Sequence, residues 1–242
     1  MLLGACIWMW GLLSESYWIS GLGLSLTTVR PQIALFLAIP FFFRHRIVFW
    51  GFLLGSSLLA GLSFWMLKLE GTLQFMESIQ YIENTIWLEA HANAMPTFSG
   101  FIRKNFYELN IPLTKSVVWA SYVLGMFGFC WLWHGKARIA ETEIGWISIA
   151  ALFLVPYAHY HELMLLLIPI FCILRKFETL PVNTRHTATL PLIVSWLCLL
   201  SFAGTGSLVF WVLNPLMLLL GYLVWKPEKF ARLLPTAHLP NT

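Results

Sequence analysis

Apolar residues gather into eight runs along the chain, at about 1–13, 22–43, 47–67, 113–133, 144–158, 161–175, 188–204 and 207–225. None alternates with a period of two, so each reads as a helix that is apolar nearly all round. Residues 22–43 alone would make a helix about 33 Å long, enough to cross a hydrocarbon core of roughly 30 Å. The pair 144–158 and 161–175 is shorter and is broken by the polar knot "PYAHYHE" at 156–162. The opening "MLLGACIWMWGLL" has no basic leader and no small-residue cleavage site, so it is not a good signal peptide. As a helix it spans only about 20 Å and reads as the tail of a segment whose beginning is missing.

The longest interval between runs is 68–112. Within it Leu73, Met76, Ile79, Ile82 and Ile86 recur at steps of three and four. That stripe predicts a helix lying in a membrane interface, with Glu77, Gln80 and Glu83 on its other faces. The expected fold is all-α: a polytopic membrane protein of about eight transmembrane segments, forming one integral domain over 1–242. Residues 68–112 would be an extracytoplasmic loop and 226–242 a cytoplasmic tail. No internal repeat is visible.

Composition sharpens the class. Hydrophobic residues make up 59% and charged residues 11% of the 242, against about 25% charged in a soluble domain. Mean hydropathy is +0.74. Thirteen Trp fit anchors at the two headgroup layers. The four Cys lie singly in apolar runs, without metal-type spacing. A net charge of +4, spread over short loops, signals topology and excludes a nucleic-acid binder.

Lys and Arg cluster in "RHR" (44–46), "HGKAR" (134–138), 175–185 and "KPEKFAR" (226–232). The positive-inside rule puts all four in the cytoplasm. Alternation then puts 14–21, 68–112, 156–161 and 204–206 outside, and the expected location is the plasma membrane, as a multi-pass protein.

Two polar clusters stand out at the outer side. Arg30, followed by Pro31, lies about a third of the way into the run 22–43. A cation at that depth is costly unless it faces protein or water. Either it snorkels to the interface, or its guanidinium forms an anion site. The second cluster holds Tyr157, His159, Tyr160, His161 and Glu162. It is either a polar turn reaching water or a helix break lining a cavity. His159 and His161, two residues apart, would point away from each other on a helix and lack a third ligand, so no metal is expected. Imidazole and phenol can instead donate to an anionic oxygen.

These residues resemble a known family. "RPQIALFLAIPFFFRHR" resembles the Lys-Pro helix of the polyprenol-phosphate-dependent glycosyltransferases of family 87, in the GT-C class. "MPTFSGFIRK" (95–104) resembles that family's outer-loop stretch, and "VPYAHYHELMLLLIPIF" (155–171) its His-containing helix start. The three come in the family's order and cover about 20–225. The resemblance implies transfer of a sugar, a mannose-like hexose as first expectation, from a polyprenyl-phosphate carrier to an acceptor glycan or lipid on the extracytoplasmic face. It implies no cofactor beyond the lipid-linked donor. It places Arg30 and His161, with Tyr160 and His159, at the donor phosphate, and Pro31, Gln32 and Glu162 in the cavity wall. Arg30 stands where the family has Lys, and Val155 where it has Ser.

The family's general base is an Asp in an outer loop ahead of the matched region. All eleven acidic residues here are Glu. Glu15 falls on the expected outer side, but no motif match gives it that role. The chain therefore resembles the C-terminal, donor-binding part of such an enzyme, weakly active or inactive alone. A transport or lipid-binding protein and a non-catalytic partner subunit are the alternatives. Neither paired broken helices nor a clear small-residue interface is evident for them.

Overall fold

The computed structural model describes residues 1–84, 95, 97–106, 111–134, 140–157 and 160–176. Among them the chain is all-helical, with no strand. The helices are α1 (Leu2–Leu13), α2 (Tyr17–Ser25), α3 (Pro31–Arg44), α4 (Arg46–Asn84), α5 (Phe98–Phe106), α6 (Ile111–Trp133), α7 (Glu141–Leu154) and α8 (Leu167–Lys176). Short 3₁₀ turns, Leu26–Val29 and Tyr160–Leu166, precede α3 and α8. The expected runs 188–204 and 207–225 and the tail 226–242 lie outside the described residues.

Among the described residues two helices are long and apolar enough to cross a membrane, Arg46–Ser78 and Pro112–Trp133. The described residues do not support the expected count of eight spans. The main departure is at 22–43, which is not one helix. Here α2 ends at Ser25, a 3₁₀ turn follows, and α3 starts afresh at Pro31. Arg30 itself is extended, at φ −124° and ψ 83°. Proline explains the break: the residue before it is pushed out of the helical region, and proline is well suited to the first helical position. At 12, 9 and 14 residues, α1, α2 and α3 are about 18, 13 and 21 Å long, each short of a 30 Å crossing.

The extra reversal changes the topology. Tyr17 stacks on His45, ring centroids 4.7 Å apart, and Ser14 and Arg175 line one cleft. The turn at 14–16 thus sits at the same end as the 44–46 cluster, not on the opposite side as alternation implied. One end of the bundle carries Arg44, His45 and Arg175. There Arg175 pairs with Glu141 at 3.0 Å and Arg44 with Glu143 at 3.4 Å. Glu143 also accepts the Ala140 N–H at 3.0 Å, satisfying an open donor at the start of α7. The other end carries Arg30.

The helix α3 is central, packing on α2, α4, α6 and α7. Its Phe36 meets Tyr122 and Phe129, and its Phe41 lies edge-on to Trp8 and Trp133. Small residues let α2 approach its neighbours. A Cβ on Gly21 would strike the Val48 carbonyl, and one on Gly55 the Ser25 hydroxyl. The Ser20 hydroxyl donates to the Trp8 carbonyl at 2.9 Å. Gly51 and Gly55, four apart, therefore form a small-residue seam inside the chain. Beyond Gly55, α4 breaks at Lys68, where φ is 56° and ψ −175°, a conformation strained for any residue but glycine. This is where the apolar run was expected to end. Leu73 and Met76 of the expected interfacial helix follow in helix and are exposed.

Gly21→Ala is expected to cost about 1–3 kcal/mol by overpacking. Gly61→Ala, where a Cβ meets nothing within 4 Å, should be neutral or slightly stabilising. Unfolding followed by circular dichroism in detergent checks the pair. At the basic end, burial and then Arg44 hold His45 below the usual histidine pKa. The folded state thus disfavours the proton relative to the unfolded chain. Stability from this residue should be full above about pH 6.5 and be lost as the pH falls below that, levelling off beneath the folded pKa. His45→Gln should flatten this part of the profile in unfolding measurements between about pH 7.5 and 5.

Candidate anion site

The site forms at the end opposite the basic cluster, from three stretches far apart in sequence. The first is the Arg30 turn. The Arg30 carbonyl accepts the N–H groups of Ile33 and Ala34, at 3.1 and 3.0 Å, and so opens α3. Thr27 and Thr28 turn back, donating to the carbonyls of Leu24 and Ser25 at 2.6 Å each. They finish α2 instead of accompanying the guanidinium.

The second stretch is the knot at 155–162. Val155 is extended, at φ −61° and ψ 136°, because Pro156 follows it. This stops α7, and the chain resumes as the 3₁₀ turn Tyr160–Leu166. Glu162 on that turn is fully buried and forms an ion pair with Arg30 through Oε1 and Nε. Arg30 is 30% exposed, so the pair is solvated from one side only. A buried carboxylate needs such a cation, since desolvating it alone costs several kcal/mol. The Gln32 amide donates to the Tyr157 carbonyl at 3.3 Å, and the Tyr122 hydroxyl to the Gln32 carbonyl at 2.6 Å. Trp119 lies edge-on to both Tyr122 and Tyr157. These contacts tie the end of α7 to the start of α3.

The third stretch is α5. Thr97 caps it: its hydroxyl accepts the Gly100 N–H at 3.3 Å and lies 2.8 Å from the Ser99 hydroxyl. Gly100 is required here because a Cβ would meet the Met95 carbonyl. One turn on, Arg103 is 2% exposed, with its guanidinium over the Tyr157 ring at 4.7 Å.

Arg30, expected at a donor phosphate, meets Glu162, expected in the cavity wall, directly, and Pro31 and Gln32 of that expected wall open α3 right after Arg30. Tyr160 and His161 lie on the 3₁₀ turn that carries Glu162. His159 lies outside the described residues. Glu15 is removed from this neighbourhood, because its turn is at the basic end. Arg103 was given no role by sequence, although it falls in the stretch 95–104. The available signal was the Thr-x-Ser-Gly start that caps a helix and fixes which side chains turn inward. Among the described residues no three His, Cys or acidic side chains gather to hold a metal. An apolar cleft of about 600 Å³ between α1 and α8, lined by Leu2, Cys6, Leu167 and Phe171, includes none of the site's residues.

No protein-family model, no curated protein and no solved structure matches the chain.

Arg30→Ala would leave the Glu162 carboxylate buried without its cation. The expected loss is about 3 kcal/mol, the low end for a buried pair because Arg30 is partly exposed. The double variant Arg30→Met with Glu162→Leu should recover most of it. A double-mutant cycle on unfolding free energies in detergent reads both.

Proposed function

We propose that this chain is a multi-pass protein of the plasma membrane whose Arg30 end faces the extracytoplasmic side and receives a lipid-linked phosphate. On this reading it is the donor-binding part of a GT-C glycosyltransferase, moving a mannose-like hexose from a polyprenyl-phosphate carrier. The observation that carries the reading is a convergence. The three short stretches that resemble family 87, around Arg30, 95–104 and 155–162, meet at one end of the bundle through the Arg30–Glu162, Gln32–Tyr157 and Arg103–Tyr157 contacts.

The placement is chemically coherent. The opposite end carries Arg44, Arg46 and Arg175, which by the positive-inside rule is cytoplasmic. The segments α1 to α3, each too short to cross alone, would then be broken helices whose irregular turn is buried in protein. A lipid phosphate leaving the sugar gains negative charge, and fixed cations near it lower the barrier. His159, Tyr160 and His161 would add donors to that oxygen. The general base is then not an Asp of this chain, which has none.

The test uses chain 1–242 in neutral-lipid nanodiscs. A polyprenyl-phosphate hexose should bind at least about tenfold more tightly than the corresponding polyprenol, the gain expected of a charge-assisted phosphate contact. Equal binding of the two would contradict a phosphate site. Sugar transfer by the chain alone should be absent. Sustained turnover would show that the base is present after all.

A further inference from the structure

We infer that Arg103, and not Arg30, is the residue that takes the anion, as a buried guanidinium without a counter-charge among the described residues. This rests on the reading above for the lipid nature of the ligand, but not for the anion site itself.

The two arginines at this end are in different electrostatic states. Arg30 is matched by Glu162, so that pair is neutral and holds the 3₁₀ turn to the start of α3. Arg103 is enclosed, and none of its three guanidinium nitrogens has a hydrogen-bond partner among the described residues. Its one described contact is the face of Tyr157. A cation–π contact offsets only part of the cost of removing a guanidinium from water. A guanidinium in this state makes physical sense when something else supplies the missing acceptors. The Tyr157 ring lies 4.7 Å from the guanidinium carbon, and the N–H donors, which have no acceptor among the described residues, are left for the ligand. A guanidinium edge matches two oxygens of one phosphate.

The supports of this arrangement are built for position. Thr97 and Gly100 fix where α5 begins. Gln32 and Trp119 fix the ring on which Arg103 rests. The phosphate would therefore sit between α5 and the turn after α7, beside the neutral Arg30–Glu162 pair.

The experiment uses the full chain in phosphatidylcholine nanodiscs, with inorganic phosphate, a short prenyl phosphate and the matching prenol as probes. Wild type should bind both phosphate species and be stabilised by them against heat, and should ignore the prenol. Arg103→Gln should weaken both by at least about tenfold, and Arg103→Lys should keep part of the binding. Without ligand, Arg103→Gln and Arg103→Met should unfold at or above the wild-type temperature, because an uncompensated buried cation has been removed. Phosphate binding by Arg103→Gln within about twofold of wild type would overturn the assignment. So would a ligand-free unfolding temperature several degrees below wild type in both variants, which marks an internal structural partner. If the Arg103-dependent site prefers inorganic phosphate to the prenyl phosphate, the anion site stands and the lipid-donor reading fails. If the prenyl phosphate binds tightly regardless of Arg103, the lipid-donor reading stands and this inference fails. Absence of binding by wild type overturns both.

Discussion

The ion pair between Arg30 and Glu162 joins parts of the chain 132 positions apart in number (162 less 30), and the rest of the site depends on it. It is possible because Arg30 stands outside the helices, extended just before Pro31 at the first position of α3. Pro31 disfavours helical backbone at Arg30, so the chain that left α2 at Ser25 starts afresh as α3. The guanidinium is then released from the helix wall into a turn. There it meets a carboxylate that could not otherwise be buried. Neutralising Glu162 allows the 3₁₀ turn to sit inside the bundle, and this brings Tyr157 within reach of both Gln32 and Arg103.

The two ends of the bundle use charge differently. At the basic end, Arg44 and Arg175 meet Glu143 and Glu141, and Glu143 also caps α7. These are structural pairings at helix termini. At the other end one arginine is paired and one is enclosed without an acceptor among the described residues. That inequality distinguishes a supporting contact from a receiving one. Between the ends, α3 and the glycine seam of α2 and α4 hold the spacing.

Much of this was legible in the sequence. The apolar runs marked α4 and α6 closely, and the break near Lys68 was visible as the end of a run. Arg30 and the knot at 156–162 were recognisable as polar groups that demand a partner. Their partnership was not, because ion pairing between distant segments leaves no periodic signal. The path from 14 to 43 was misread for a physical reason. Hydropathy saw one continuous apolar run, while Pro31 imposed a backbone break that hydropathy does not weigh. Glu15 then moved to the wrong end by alternation. No small-residue interface was evident because only their meeting with Gly21 and Ser25 gives Gly51 and Gly55 meaning. Arg103 was hidden by the opposite fault: a charge in a long loop reads as solvated until its helix is known to turn it inward.

The reversal at Arg30 can be measured directly by cross-linking Tyr17→Cys to His45→Cys, in a background with the four native cysteines replaced. In the folded-back chain these positions are neighbours, with native ring centroids 4.7 Å apart, so a short bis-thiol reagent should join them rapidly and nearly completely. A single helix running through this region would separate them by about 42 Å. Failure to cross-link in protein that is otherwise folded would contradict the turn, and with it the placement of Arg30 against Glu162.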